Sequence, residues 1–178
     1  RSHAFAMKSQ MWLLDPRPNL PSIVKMVKSG FELSEASNTP VMLELRIRAC
    51  HMHGRFMAED NKPPAYPLHQ AMENPTRDYD RVVLPPSNFL HEHEKVEKRW
   101  PAAVDYIKHN RLNEFLGGAV GEVGIVVQGG MYNALNRAMV LLGLADEYGN
   151  SDIPIYCLNV TYPLIDDELS GFCADKKA

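Results

Sequence analysis

Two rhythms of apolar and polar positions run along this chain, and the sharpest change between them falls in GEVGIVVQGGMYNALNRAMVLLG, residues 121–143. A short apolar run at 123–127 ends in Gly129-Gly130, and Tyr132, Leu135, Met139 and Leu142 then recur every three or four residues. This predicts a strand, a tight turn and an amphipathic helix, the unit that builds a parallel sheet with helices on its faces. A polar loop at 146–152 leads to a second expected strand at 153–160. Asp166, Asp167 and Glu168 then open a short helix reaching about residue 172, where acidic side chains suit the positive end of the helix dipole.

A second unit precedes it. Pro21 fits the first turn of a helix running to about residue 36, capped by Asn19 or Ser22. Its expected buried stripe is Ile23, Val24, Val27, Phe31 and Leu33, and Gly30 marks close packing. Asn38-Thr39-Pro40 ends that helix and starts a strand at 41–47. The residues before Pro21 read as a loop with one apolar piece at 11–14. Either that piece pairs with the strand or the rest of the sheet lies outside this chain, since a lone strand exposes its backbone edges.

Between the units, Pro63-Pro64, Pro67, Pro75 and Pro85-Pro86 interrupt every candidate helix in 55–88 and leave at most a short extended run at 79–84. Tyr66, Leu68, Met72, Tyr79 and Val82 argue against free disorder, so the segment is expected to lie along another surface. Ser87 or Asn88 caps a charged helix at 89–98, and Pro101 begins a second helical stretch ending near residue 110. The HEHEKVEK run reads as a solvated, ion-paired face. The fold class is therefore α/β, in partial three-layer parallel-sheet units. The chain divides into 1–54, the end of one α/β domain; 55–115, a proline-rich linker with connecting helices; and 116–178, the first half of another. The two outer segments are expected in different sheets, with open edges that favour dimerisation or partner docking.

Composition narrows the function classes. A net charge of −3 gives no basic field for nucleic acid, and no run of about 20 apolar residues suggests a membrane span. Cys50, Cys157 and Cys173 are too widely spaced for a zinc or iron–sulfur pattern and suit a reducing compartment, so a cytoplasmic location is expected. The adjacent glycines lack the first, third and sixth spacing of the dinucleotide fingerprint. A tight strand-to-helix turn is favoured there, with phosphate or cofactor binding the lesser alternative. His51 and His53 lie two apart on an extended segment and point to opposite faces, so joint metal ligation is disfavoured and no metal ligand set is expected. The end of a parallel strand is nevertheless where α/β sites gather, which makes Arg48 and His51 candidates for contact with a substrate, cofactor or partner domain. His91 and His93 are expected in solvent, and Asp166 and Asp167 as helix caps. No serine elbow or activated cysteine marks a nucleophile, so no catalytic residue is assigned.

Three stretches in order carry a resemblance to a known family. LPSIVKMVKSGFELSEASNTPVMLELRIRACHMHG (20–54) resembles the last helix and strand of a pyrimidine-binding domain. PPSNFLHEHEKVEKRWPAAVDYIKHNRLNE (85–114) resembles the connector that follows. GEVGIVVQGGMYNALNRAMVLLGL, with NVTYPLIDDELSGF, resembles the opening of a transketolase C-terminal-like domain, Tyr162-Pro163-Leu164 matching a YPLP-like motif with Ile165 in place of the second proline. The family is the thiamine-diphosphate-dependent 2-oxoacid:ferredoxin oxidoreductases, most closely the large subunit of indolepyruvate ferredoxin oxidoreductase. The resemblance implies a parent enzyme that oxidatively decarboxylates aryl 2-oxoacids such as indolepyruvate with coenzyme A, using thiamine diphosphate, Mg²⁺ and iron–sulfur clusters and passing electrons to ferredoxin. It also implies that this chain is an internal fragment, inactive alone and binding none of these groups. Its partners would be the remaining domains of the parent subunit and further copies in a homodimer or larger oligomer. A transketolase-like or pyruvate dehydrogenase-like enzyme fragment and a non-catalytic interaction module are the alternatives.

Overall fold

A computed structural model of the chain describes residues 2–63, 66–75, 82–118 and 121–177. Its helices are α1 (Ser2–Ser9), α2 (Leu20–Ser37), α3 (Ile47–Cys50), α4 (Leu68–Glu73), α5 (Ser87–Glu94), α6 (Trp100–His109), α7 (Tyr132–Leu141) and α8 (Asp166–Cys173). Its strands are β1 (Trp12–Leu14), β2 (Val41–Leu43), β3 (Glu114–Leu116), β4 (Ile125–Gln128), β5 (Ile155–Leu158) and β6 (Val160–Tyr162). They form two small sheets, ordered β2-β1-β6 and β3-β5-β4. Each sheet is mixed. β1 runs parallel to β2 and antiparallel to β6, and β5 runs parallel to β4 and antiparallel to β3. The architecture is thus mixed α/β rather than purely parallel.

α2 forms as its signals predict. Asn19 Oδ1 accepts the Ser22 N–H at 2.9 Å, a proline lies in the first turn, and Asn38 in the left-handed region (φ 46°) ends the helix. The buried stripe keeps Ile23 and Leu33 of the expected one and differs in the rest. Ile23, Met26, Ser29, Leu33 and Ser37 face inward, whereas Val24, Val27 and Phe31 are exposed. The helix carries apolar residues on two faces, and the sequence pattern cannot say which one meets the sheet. Gly30 faces the sheet, but a Cβ built there would lie 3.4 Å from Leu14 Cδ1, an ordinary van der Waals contact, so close packing does not require the glycine.

The main core gathers Trp12, Leu14, Met26, Leu33, Ala103, Ile107, Leu112, Val160 and Ile165. The Trp12 and Trp100 rings meet edge to face at 5.4 Å, as do Trp100 and Tyr162. Trp12 Nε1 donates to Ser37 Oγ at 2.8 Å, which satisfies the one polar atom this ring brings into the core. α5 and α6 form one helical run through a π turn at Lys95–Arg99, not two helices separated before Pro101. Pro101 lies within this run, just after the π turn, where the backbone hydrogen-bond ladder is already interrupted. Lys95 is buried in that turn, with Nζ 4.0 Å from the Trp12 ring centroid and donating to the Gln10 carbonyl at the end of α1.

Four further expectations are corrected. The opening residues are helical as α1 rather than a loop, and the apolar piece after them becomes β1 beside β2. The strand at 41–47 stops at Leu43, because Arg46 turns away to an ion pair and α3 begins at Ile47. The strand at 153–160 breaks at Asn159 into β5 and β6, which join different sheets. The outer segments therefore share a sheet, since β6 pairs with β1. In 55–88, α4 is the one helix among the described residues before α5. The extended run expected at 79–84 lies partly outside the described residues, and Val82–Leu84 belong to no strand.

Candidate functional site

The carboxyl ends of β1, β2, β4 and β5 come together at the junction of the two sheets, and the residues there are polar. Asp15 follows β1, Arg46 lies just past β2, Gln128 ends β4 and Asn159 follows β5. Arg46 Nη2 donates to Asp15 Oδ2 at 2.7 Å and to Gln128 Oε1 at 2.8 Å. A second pair lies beside the first. Arg17 grips Glu114 with both arms, Nε to Oε2 at 2.6 Å and Nη2 to Oε1 at 2.7 Å. This two-pronged geometry is the strongest form of a guanidinium–carboxylate contact.

Asn159 ties the two pairs together. Its backbone carbonyl accepts the Asp15 N–H at 2.8 Å, and its Oδ1 accepts the Arg17 N–H at 3.0 Å. Its Nδ2 donates to Leu112 O at 2.9 Å and to Glu114 Oε2 at 2.8 Å. Every polar atom of this buried side chain is used, as a polar group removed from water requires. Asn113 performs the same service one strand away. Its Oδ1 accepts the Val160 N–H at 2.9 Å, and its Nδ2 donates to the Tyr156 hydroxyl at 3.1 Å.

The Gly129-Gly130 pair sits against this cluster. Neither glycine adopts a positive φ, so backbone freedom is not what the positions demand. Room is. A Cβ on Gly129 would lie 2.6 Å from Asn159 Oδ1 and against the Asp15 carbonyl, and one on Gly130 would strike Asp15 Oδ1 and Arg46 Nε. The space beside this strand-to-helix turn is filled by the chain's own carboxylate and guanidinium. Arg17 also lies 5.0 Å from the centroid of the Tyr132 ring, and Asn133 Nδ2 donates to Pro18 O at 3.2 Å, so the start of α7 is tethered to the β1–α2 loop.

Electrostatics hold the cluster in its charged form. Burial would raise the Glu114 carboxyl, but hydrogen bonds from Arg17 and Asn159 outweigh it and keep it below the usual carboxylate range. The bond to Glu114 raises Arg17, and the bond to Asp15 raises Arg46. Two carboxylates and two guanidiniums thus face one another in two adjacent ion pairs. Cys157 is enclosed beside them, and burial with the nearby Glu114 charge pushes its thiol up to about 12. It is a packed side chain, not a nucleophile.

The sequence candidates lie outside this cluster. Arg48 is exposed on α3 and His51 is exposed at that helix's end, two and five residues after Arg46 but not joined to it by any hydrogen bond among the described residues. His93 is exposed and stacks on Phe89. Asp167 pairs with Lys108 across from α6, and Glu168 accepts the Tyr156 hydroxyl at 2.7 Å, so α8's acidic turn is anchored by side-chain partners. Asp15, Arg17, Arg46, Glu114 and Asn159 carry no local motif and come from four stretches of the chain. The glycine pair, and Asn159 as a polar residue within an apolar run, are the traces they leave in the sequence.

Among the described residues, no three His, Cys, Asp or Glu side chains come together to hold a metal ion. Cys50 and Cys173 are exposed free thiols and Cys157 is buried, so these cysteines do not gather as the ligands of an iron–sulfur cluster. No helix among the described residues is long and apolar enough to cross a membrane.

Comparison with known proteins places this geometry in a context. No family model matches the chain, and no solved structure matches it. It is 28% identical over 169 residues to the indolepyruvate oxidoreductase subunit IorA of Methanothermobacter thermautotrophicus. It is 31% identical over 166 residues to the subunit of the same name from Methanothermobacter marburgensis. Each alignment takes in 89% of this chain and 24% of the relative, so the chain spans about a quarter of the length of the curated relatives it matches. The chain is thus similar, distantly and at the level of the family, to IorA-type oxidoreductase subunits.

Proposed function

We propose that this chain is an internal segment of the large subunit of a 2-oxoacid:ferredoxin oxidoreductase acting on aryl 2-oxoacids, and that it serves there as scaffold and interdomain contact. The observation that carries the reading is the similarity to two indolepyruvate oxidoreductase subunits across 89% of the chain. On this reading 1–54 ends a pyrimidine-binding-like domain, 55–115 connects, and 116–178 opens a transketolase C-terminal-like domain. The polar junction supports the scaffold role. It locks the carboxyl ends of four strands with groups already neutralised by one another, which suits holding two units in register better than proton transfer.

The exposed apolar surface also supports it. Val24 and Val27 on α2, with Phe56 and Met57 from the following segment, line a groove of about 1040 Å³ that favours cover by the remaining domains of the subunit. Thiamine diphosphate, Mg²⁺ and the clusters would be held by those domains, with coenzyme A as co-substrate and ferredoxin as electron acceptor. Arg48 and His51 are the residues of this segment proposed to approach a substrate or cofactor edge.

Two measurements test the reading. The full-length gene product with its partner subunit is expected to reduce ferredoxin in the presence of indolepyruvate and coenzyme A. A full-length gene product without iron–sulfur clusters and without such reduction would remove the assignment in favour of a transketolase-like or pyruvate dehydrogenase-like enzyme or a plain interaction module. Calorimetric titration of the 178-residue chain with thiamine diphosphate and Mg²⁺ is expected to show no tight binding, and micromolar affinity would overturn the scaffold role.

A further inference from the structure

Phe31 stands on the outer face of α2, 75% exposed, and beside it lies a hollow of about 310 Å³. Val27, Gly30 and Ser34 of α2 and Val41 and Leu43 of β2 line the hollow, with Phe31 at its rim. Of the lining residues, Val27 alone also lines the groove beside Phe56 and Met57, so the two surfaces are distinct. An aromatic knob and an apolar hole therefore share one face. Both are satisfied at once by a second copy related by a two-fold axis, where each Phe31 enters the other copy's hollow.

The charges on α2 follow the same symmetry. With about 3.6 residues per turn, Lys25, Lys28, Glu32 and Glu35 fall on one flank of Phe31, and Val27, Gly30 and Ser34 fall on the other. Both lysines precede both glutamates. In an antiparallel α2–α2 pair crossing near Gly30, each charged flank faces the partner's charged flank. Lys25 then lies opposite the partner's Glu35, and Lys28 opposite the partner's Glu32. A parallel pair would instead set that flank against the partner's Val27 and the partner's Ser34. Within one copy, Lys28 holds Glu59 at 2.7 Å and Glu32 accepts the Tyr106 hydroxyl at 2.6 Å. Lys25 and Glu35 are exposed and make no hydrogen bond or ion pair among the described residues.

We infer that two copies of this chain associate through α2, antiparallel across a two-fold axis near Gly30, with Phe31 of each copy seated in the hollow between α2 and β2 of the other. The contact uses only residues of this chain and does not depend on the family reading. Its centre is one aromatic anchor per copy in an apolar pocket, framed by paired charges, and such anchors carry most of the binding energy of an interface. So small a patch makes a weak, reversible dimer rather than a permanent one.

Sedimentation equilibrium of the 178-residue chain at micromolar to millimolar concentration tests this. The weight-average mass is expected to rise with concentration from 20.1 kDa toward twice that value. Phe31→Ser changes a side chain that the fold leaves in solvent, so the far-UV spectrum is expected to stay unchanged while association weakens at least about tenfold. Lys25→Glu and Glu35→Lys are each expected to weaken it about three- to tenfold, because each alters two symmetry-related surface pairs of modest strength. The double variant Lys25→Glu with Glu35→Lys is expected to regain the lost affinity. The two positions lie about 15 Å apart along one helix, so this rescue reports a contact between copies. A chain that stays monomeric throughout would leave this face to the remaining domains of the subunit and overturn the inference. Dimers that survive Phe31→Ser would place the contact elsewhere, and a double variant no stronger than the single ones would break the antiparallel pairing. Either result would overturn it as well.

Discussion

Replacing Gly130 with alanine tests whether the glycine pair exists to admit the Asp15–Arg46 ion pair. The added Cβ would meet Asp15 Oδ1 and Arg46 Nε closer than the 3.0 Å that real Cβ atoms essentially never breach, with Arg46 Cδ at 2.6 Å. Only one partner has slack. Asp15 is 2% exposed and its backbone N–H is bound to Asn159 O, so the carboxylate cannot swing into water. The arginine is the mobile side, its side chain 31% exposed, and it must leave. Separating a buried pair costs about 3–5 kcal/mol because a charge is left without its partner. Solvent reaching Arg46 places this case near the lower figure. The reduced freedom of alanine in the unfolded chain returns about 0.4–1 kcal/mol. The expected net loss is about 2–3 kcal/mol, roughly a 30- to 150-fold drop in the folding constant.

Urea unfolding followed by tryptophan fluorescence measures this, since Trp12 and Trp100 lie in the core cluster and its margin. Gly171→Ala is the control. It sits inside α8 with nothing within 4 Å of the new atom, and a gain of up to about 1 kcal/mol is expected there. The double variant Asp15→Ser with Gly130→Ala sharpens the test, because the smaller side chain vacates the space the methyl needs. Its loss is expected to fall short of the sum of the two single losses. A Gly130→Ala loss below about 1 kcal/mol, or strict additivity, would show that the glycine serves something other than room for the ion pair.

Other residues give shorter tests. Burial and the neighbouring Arg99 charge lower the Lys95 amine from 10.5 to about 8. The unfolded chain therefore holds this proton more tightly, the penalty is fully present below pH 8, and stability is expected to rise by up to roughly 3 kcal/mol as pH climbs from 8 to 10.5. Lys95→Met is expected to lose that slope in urea midpoints taken across this window, and an unchanged slope would count against it. Thiol labelling at pH 7.5 is expected to modify Cys50 and Cys173 rapidly and leave Cys157 untouched until the chain unfolds, because Cys157 is 0% exposed with its thiol pushed up to about 12. Asn19→Ala removes the 2.9 Å cap on Ser22 and is expected to cost about 1 kcal/mol in the same unfolding assay, with no loss indicating that the adjacent proline sets the helix start unaided.

The elements that depend on neighbours in sequence were legible, and those that depend on a distant partner were not. The α2 cap, the strand and helix around Gly129-Gly130 and the acidic opening of α8 all rest on residues a few positions apart, and they stand where the pattern put them. The buried face of α2 was read correctly only at Ile23 and Leu33, because Val24, Val27 and Phe31 are as regularly spaced as Ile23, Met26 and Leu33, and only the position of β1 chooses between them. The strand at 41–47 failed for a related reason. Its last residues look extended, but Arg46 answers to Asp15, thirty-one residues earlier, and that pairing bends the chain into α3. Asn159 is the extreme case. It interrupts an apolar run, which a local reading passes over as one polar residue within a strand. Its amide instead bonds to Arg17, Leu112 and Glu114, and its backbone carbonyl to Asp15. With four partners from two other parts of the chain, it is the point at which the strand must leave one sheet and enter the other. The glycine pair shows the same dependence from the opposite side, since its two missing side chains are explained only by the residues that occupy their space. A polar residue inside an apolar run, next to a glycine pair with no need for positive φ, is therefore a usable sign that distant charged groups meet there.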